Sequence, residues 1–257
     1  MARPRALILA GYGINCDRET EFAFKMAGAE ARRVHINDLI AGRERLADWQ
    51  ILAFPGGFSF GDDIAAGKVL AVKFQCHLEE QLDRFIADGK LVIGICNGFQ
   101  AVVKLGALPR LDGGFDQQAT VTFNDSGKFE DRWVYLEPNP DSPCVFTKGI
   151  EHPYLPVRHG EGKFVAPPRV LEQIQSNNQV VVRYVDESGR RAGYPHNPNG
   201  SMDNIAGICD PTGRIFGLMP HPEAYLFRTN HPRWTREEVA EEGLGVAIFR
   251  NAVGFFI

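Results

Sequence analysis

Gly94-Ile95-Cys96-Asn97-Gly98 sets a thiol between two glycines, where the apolar run Leu91–Ile95 gives way to a helical pattern. It is the G-x-C-x-G counterpart of the strand–nucleophile–helix turn of serine hydrolases. So sharp a turn holds its central residue at strained backbone angles and lifts the side chain clear of the sheet. Flanking glycines remove the β-carbons that would collide there. The helix that follows aims its N–H groups and positive end at the sulfur, which favours the nucleophilic thiolate. A thiol nucleophile needs a proton shuttle that works near neutrality, a role that suits histidine. Of the seven histidines, His221 stands apart: it is fixed between Pro220 and Pro222 beyond an apolar run at 215–219, and Glu223 lies two residues on to orient the ring. Cys96, His221 and Glu223 thus form a candidate nucleophile–base–carboxylate set. Pro55-Gly56-Gly57 ends another apolar run, and N–H groups in such a glycine turn can hold an oxyanion. Each turn taken singly also reads as plain packing. What joins the three is that all follow candidate strands, at the edge where open α/β sheets carry their sites.

Elements that could bring these turns together are legible on either side of them. Strands are expected at Arg5–Ala10, 32–36, Ile51–Phe54 and Leu91–Ile95. Between them fall a helix at 17–27, with Asp17 as its cap and Gly28 as its stop, and another at 67–88. In the second, Leu78, Leu82, Phe85 and Ile86 share a face and Gly89 ends the pattern. A helix at 97–105, stopped by Gly106, follows the thiol. Short apolar strands alternating with helices imply a parallel sheet buried on both faces. Beyond residue 110 the pattern changes. Segments 119–123, 132–136 and Val180–Val185 read as antiparallel strands, and 167–174 as a helix with proline in its first turn. Ile205–Cys209 and 215–219 read as a hairpin through Asp210-Pro211-Thr212-Gly213. A last helix is expected from Thr235, with Glu238 completing a capping box. One α/β domain with β insertions accounts for the whole pattern.

Composition narrows the function classes. A length of 257 residues bounds the chain to one large domain or two small ones, and 44% hydrophobic with 23% charged residues is an ordinary globular mix. A net charge of −4 argues against general nucleic-acid binding. No apolar run is long enough to span a membrane, and the stretch after Met1-Ala2-Arg3 is too short for a secretory signal. The five cysteines are odd in number and lack a C-x-x-C pair, which disfavours zinc ribbons, disulfide frameworks and thioredoxin-like chemistry. The expected compartment is therefore a reducing cytoplasm. Cys76 and Cys209 read as structural; Cys16 and Cys144 receive no role. No metal-ligand spacing and no phosphate-binding P-loop occurs, so no metal or cofactor is expected on this chain.

At this resolution the three turns resemble those of class I glutamine amidotransferases. Further blocks narrow the resemblance to the glutaminase subunits of phosphoribosylformylglycinamidine synthase: Gly57-Phe58-Ser59-Phe60-Gly61-Asp62, His159-Gly160-Glu161-Gly162, Asn197-Pro198-Asn199-Gly200-Ser201, and Ile205-Ala206-Gly207-Ile208 with Gly217-Leu218-Met219. The resemblance runs from Ala6 to Glu223. It implies a flavodoxin-like α/β fold, with a central, mostly parallel sheet flanked by helices and a smaller antiparallel part. It implies a single amidotransferase domain, its catalytic core at about 5–225 and a helical extension at about 226–257. It also implies roles: Cys96 attacks the glutamine carboxamide, His221 moves protons, Glu223 orients His221, the N–H groups of Gly57 and Asn97 hold the oxyanion, and Gln100 holds the substrate. The implied partners are L-glutamine, an ATP- and magnesium-dependent synthetase subunit that consumes the ammonia, and a small third subunit; nucleic acid and membrane are not among them. A glutaminase serving another acceptor, or a cysteine peptidase or stress protein of the same fold, are the alternatives. Two departures stand out. The first loop reads Gly11-Tyr12-Gly13-Ile14-Asn15-Cys16, and Ala224-Tyr225 follow the His-Pro-Glu motif where many relatives have arginine.

Overall fold

The computed structural model of the chain describes residues 3–257; Met1 and Ala2, where the stretch read as too short for a signal begins, lie outside them. The chain opens with β1 (Arg5–Ala10), α1 (Asp17–Met26), β2 (Glu30–His35), α2 (Ile36–Ile40), β3 (Ile51–Phe54), α3 (Lys68–Ala87), β4 (Leu91–Ile95) and α4 (Asn97–Lys104). β5 (Thr120–Thr122), β6 (Glu130–Pro138), β7 (Tyr154–His159), β8 (Lys163–Val165), α5 (Pro168–Ser176) and β9 (Val180–Val185) follow. β10 (Ile205–Cys209), β11 (Ile215–Leu218) and α6 (Val246–Gly254) complete the fold. Thirteen of the elements are the expected ones, with ends moved by a few residues. The short helix α2 and strands β7 and β8 were not foreseen.

Nine strands form one sheet in the order β2-β1-β3-β4-β11-β10-β9-β6-β7. The half from β2 to β11 is parallel and runs 2-1-3-4-5 in order of the participating strands, the flavodoxin-like arrangement. From β11 to β7 every pairing is antiparallel. The antiparallel strands therefore continue the central sheet, and only β5 and β8 stand apart as a two-stranded ribbon. β3, β4, β10 and β11 are buried at every residue, as the continuous apolar runs require of strands covered on both faces. α3 covers the sheet with Leu70, Phe74, Leu78, Leu82 and Phe85 on its buried side. α4 is buried along its whole length, and the ammonium of its last residue, Lys104, is satisfied by the Val121 carbonyl at 2.8 Å.

Two expectations about helix ends need correction. Asp17 is the first residue of α1, not its cap; Cys16 occupies the cap position without a side-chain hydrogen bond. The Asp17 carboxylate accepts from Arg33 at 3.2 Å instead, where a negative charge in the first turn still favours the helix. No helix starts at Thr235. Residues 234–238 are exposed, so no apolar stripe rewards helix formation, and the helix begins at Val246. α6 then buries Val246, Ile248, Phe249, Ala252 and Val253 in the main core, with Phe249 edge-on to Phe24 of α1 at 5.0 Å.

Candidate active site

β4 delivers the chain to Cys96, whose backbone stands at φ 51°, ψ −106°. Such angles cost about 1–3 kcal/mol in a non-glycine residue and persist only where the surroundings impose them. Here the Cys96 N–H donates to Leu218 at 2.8 Å, and its carbonyl accepts the first bond of α4, from Gln100, at 3.0 Å. A β-carbon on Gly94 would meet the Gly98 carbonyl at 2.8 Å, and one on Gly98 would meet the Phe54 carbonyl at 1.8 Å. Both glycines of the motif are thus steric necessities of the turn. The thiol is buried, 3.6 Å from the Arg158 carbonyl.

β11 lies beside β4 in parallel register, Gly217 opposite Gly94 and Leu218 opposite Ile95, and so carries Met219-Pro220-His221 to the same edge. The His221 N–H donates to the Pro156 carbonyl at 2.8 Å, and its Nδ1 meets Glu223 Oε1 at 2.6 Å, with both residues buried. Burial by itself would push the imidazole down. The Glu223 carboxylate and the neighbouring Cys96 and Cys16 thiols outweigh it and hold His221 well above the ordinary histidine range. Glu223 therefore both fixes the ring and favours its protonated form. The His221 Nε2 is buried without a hydrogen-bond partner, which leaves it available to a reacting group. The tail braces this turn. The Gly243 N–H donates to Leu226 at 2.9 Å and the Gly245 N–H to Tyr225 at 3.0 Å. A β-carbon on Gly245 would reach the Pro222 carbonyl at 1.9 Å.

Gly57 follows β3, the neighbour of β4, at φ 144°, and a β-carbon there would lie 2.6 Å from the Gly13 carbonyl. The first loop presses against it: the Cys16 N–H donates to Gly56 at 3.1 Å and the Phe58 N–H to Gly13 at 2.8 Å. Asn97 is the first residue of α4, so its N–H has no intrahelical acceptor. Its side chain accepts from the Ser59 N–H at 3.0 Å and donates to Asp62 at 2.8 Å and to Gln100 Oε1 at 2.9 Å. The Gln100 amide in turn donates to the Glu161 carbonyl. Gln100 thereby joins α4 to the 159–162 loop at the wall of a cleft of about 300 Å³ that reaches Cys96. Gly57, Asp62, Arg158 and Glu161 line the same cleft. Burial raises the Asp62 carboxyl above its usual range, against the Asn97 and Gly67 donors that lower it.

The remaining sequence blocks meet behind the cleft. His159 Nδ1 faces Asn124 Oδ1 at 3.1 Å, so Nδ1 carries the proton; Nε2 faces the Asn199 amide at 3.5 Å, and that amide also donates to the Tyr184 hydroxyl at 3.1 Å. Burial, reinforced by the nearby His221, pushes His159 down to about 3 and keeps it neutral. Ser201 Oγ accepts from the Phe164 N–H at 2.9 Å and donates to the Gly162 carbonyl at 3.3 Å. The 159–162 and 197–201 blocks are therefore two halves of one buried polar network. Gly207 pairs with Leu218, and the Met219 N–H donates to Ala206 at 2.9 Å, which fixes the β11 exit. Sequence reasoning missed Asn124, Tyr184 and Cys16. A lone asparagine and a tyrosine in a strand carry no spacing that marks them. Cys16 is placed by the first loop, half-buried against His221, and only the fold brings the two together. Cys76 is exposed, and Cys144 and Cys209 are buried.

Comparison with known proteins agrees with the geometry. A family profile described as the CobB/CobQ-like glutamine amidotransferase domain matches residues 3–256, which includes the tail. A Dehalococcoides mccartyi protein named phosphoribosylformylglycinamidine synthase subunit PurQ is 53% identical over 256 residues, covering 98% of each chain. A Methanococcus maripaludis protein of the same name is 46% identical over 267 residues, covering 98% of this chain and 97% of that one. Among solved structures, a chain in the structure of PurLQS from Thermotoga maritima is 30% identical, with a TM-score of 0.76 and full coverage of both chains.

Proposed function

Since the chain belongs to the glutamine amidotransferases, and among them to the PurQ subunits of phosphoribosylformylglycinamidine synthase, we infer that it hydrolyses L-glutamine and passes the ammonia to a synthetase subunit. That partner converts formylglycinamide ribonucleotide to its amidine in purine biosynthesis. The observation that carries the reading is the buried His221 Nδ1–Glu223 Oε1 contact of 2.6 Å at the exit of β11, beside the strained Cys96 turn at the exit of β4.

In the mechanism we propose, glutamine enters the cleft with its carboxamide toward Cys96. The acidic Asp62 and Glu161 and the basic Arg158 along the cleft suit the two charges of an α-amino acid. As the Cys96 sulfur bonds to the carboxamide carbon, His221 takes the thiol proton, and an imidazole made more basic by Glu223 does so readily. The N–H groups of Gly57 and Asn97, at the ends of adjacent strands, stabilise the tetrahedral oxyanion. His221 returns the proton to the leaving nitrogen, the carbon–nitrogen bond breaks, and ammonia departs from a γ-glutamyl thioester. Water, deprotonated by His221, then attacks the thioester; glutamate leaves and the proton returns to sulfur. Gln100 holds the cleft wall against the substrate.

We further propose that ATP and magnesium act on the synthetase and that this chain carries neither. A small third subunit completes the assembly, in keeping with the three-letter composition of the PurLQS name. The cytoplasm is the proposed location, because five free cysteines with no disulfide among them fit a reducing compartment. No helix among the described residues is long and apolar enough to cross a membrane. The test is glutamine hydrolysis by the purified chain with and without the synthetase and its acceptor, together with covalent labelling by diazo-oxo-norleucine. Hydrolysis that rises on adding both, and a label on Cys96, support the reading. Labelling elsewhere, or stimulation only by an unrelated synthetase, overturns it.

A further inference from the structure

We propose that Cys16, His221 and Glu223 form an inhibitory site for a thiophilic divalent cation such as zinc, one that disables the catalytic base without occupying the Cys96 sulfur. This rests on the glutaminase reading of His221 and Glu223. The ligand atoms of the three side chains all lie within 4.8 Å of one another. Gly56 is what lets them converge: a β-carbon there would stand 2.8 Å from the His221 ring and 3.3 Å from the Cys16 sulfur. A second, independent observation points to a ligand. Glu223 is buried to 2% exposure, and its Oε2 has no hydrogen-bond partner. A buried carboxylate oxygen with nothing to accept from is costly unless something occupies it.

The donor set selects the metal. One sulfur, one imidazole nitrogen and one carboxylate oxygen suit zinc, and suit calcium or magnesium poorly. Three protein donors leave the fourth tetrahedral position to water. Glu223 binds the cation through the unpartnered Oε2. Nδ1, now 2.6 Å from Oε1, gives up the proton it shares with that oxygen, and the donors draw in from within 4.8 Å to tetrahedral spacing. Cys16 loses its thiol proton to solvent at the same step. The catalytic consequence follows from tautomerism. An imidazole that binds metal through Nδ1 carries its proton on Nε2, and that nitrogen can no longer accept the proton of Cys96. Glutamine still enters the cleft, but the thiol is not deprotonated. The separation of Cys16 and His221 in sequence explains why no metal-ligand spacing could be read from the chain.

The experiment uses the full-length protein, with a phosphine as reductant so that no thiol competes for metal. Cobalt(II) serves as the spectroscopic probe for direct binding. Wild type and Cys96→Ala should both show a sulfur-to-cobalt charge-transfer band, and Cys16→Ala should show none. In the reconstituted complex at fixed magnesium, zinc should inhibit glutamine-dependent turnover while sparing ammonia-dependent turnover. Cys16→Ala and Cys16→Ser, each measured against its own metal-free rate, should need at least about tenfold more zinc for half inhibition. A cobalt band that persists in Cys16→Ala, or unchanged zinc sensitivity in both Cys16 variants, overturns the proposal. Because the cobalt arm does not depend on turnover, failure of the glutaminase reading would appear separately, as inactivity of the metal-free wild type.

Discussion

The α-carbon of Gly98 lies so close to the backbone of Phe54 that a β-carbon would come within 1.8 Å of the Phe54 carbonyl oxygen. Phe54 ends β3 and Gly98 is the second residue of α4, so this contact sets how deeply the nucleophile helix seats against the strand that leads to Gly57. Gly98→Ala cannot be relieved by a rotamer, because the obstacle is backbone. It should cost more than the ~1–3 kcal/mol usual for overpacking, seen as a lowered Tm or as insoluble protein. Gly254→Ala is the control: nothing lies within 4 Å of a β-carbon there, and the change should be neutral or slightly stabilising. Equal thermal behaviour of the two variants would show that the seating of α4 is not tight.

Glu223 acts through His221, so Glu223→Gln should keep the fold and lose turnover. Without the carboxylate, His221 loses the charge that holds its proton affinity above the ordinary range. A drop in glutaminase kcat of about 10²–10⁴-fold is expected, with a smaller change in KM. Ammonia-dependent amidine synthesis should survive this variant and Cys96→Ala alike, because the synthetase site is on the other subunit. Parallel assays with glutamine and with ammonium salts check both halves of the prediction.

His159 gives the protein an acid sensitivity. Its folded-state value is pushed down to about 3 by burial, whereas in the unfolded chain it titrates near the ordinary histidine value of about 6.5. Between these limits the unfolded state binds more protons, so this group makes stability fall as pH falls from about 6.5 toward 3, by up to about 1.4 kcal/mol per pH unit. Above 6.5 it has no effect. His159→Gln removes the titration, so its stability should fall less steeply below pH 6.5 than that of wild type. Chemical denaturation at a series of pH values measures the two slopes, and parallel slopes would falsify the assignment.

His221 contributes with the opposite sign. Its folded-state value is raised, so its stabilisation is complete below the unfolded value of 6.5 and is lost as pH rises through the folded one. His221→Asn should accordingly cost more stability near pH 6 than at strongly alkaline pH. A penalty that grows with pH would contradict the charge assignment to the His221–Glu223 pair.

The tail should matter for catalysis although it contributes no residue to the cleft. Gly245 packs against the Pro222 carbonyl, where a β-carbon would come within 1.9 Å. Gly245→Ala must shift the Pro222–Ala224 turn and with it Glu223 and His221. The expected outcome is a lower kcat and slower diazo-oxo-norleucine labelling of Cys96, with the synthetase's ammonia-dependent rate unchanged. Normal labelling kinetics would show that the turn holds without this brace.

The sequence by itself determined the parts whose causes are local. Continuous apolar runs made β1, β3, β4 and β10 legible, because strands buried on both faces cannot tolerate polar residues. Gly94 and Gly98 marked the Cys96 turn, because only glycine fits such close backbone approach, and Pro220 and Pro222 marked His221. Tertiary structure decided what depends on distant partners. Only the sheet order puts β11 beside β4, and hence His221 and Cys96 at neighbouring strand ends. Only packing turned the 159–162 and 197–201 blocks into one network through Asn124 and Tyr184. The capping pattern at Thr235 was locally sound, yet no helix formed there, because its residues had nothing apolar to bury. Cys16 shows the same limit most plainly. Nothing near it in sequence marks chemistry, and it gains a neighbour of consequence only because Gly56 has no side chain to hold His221 away.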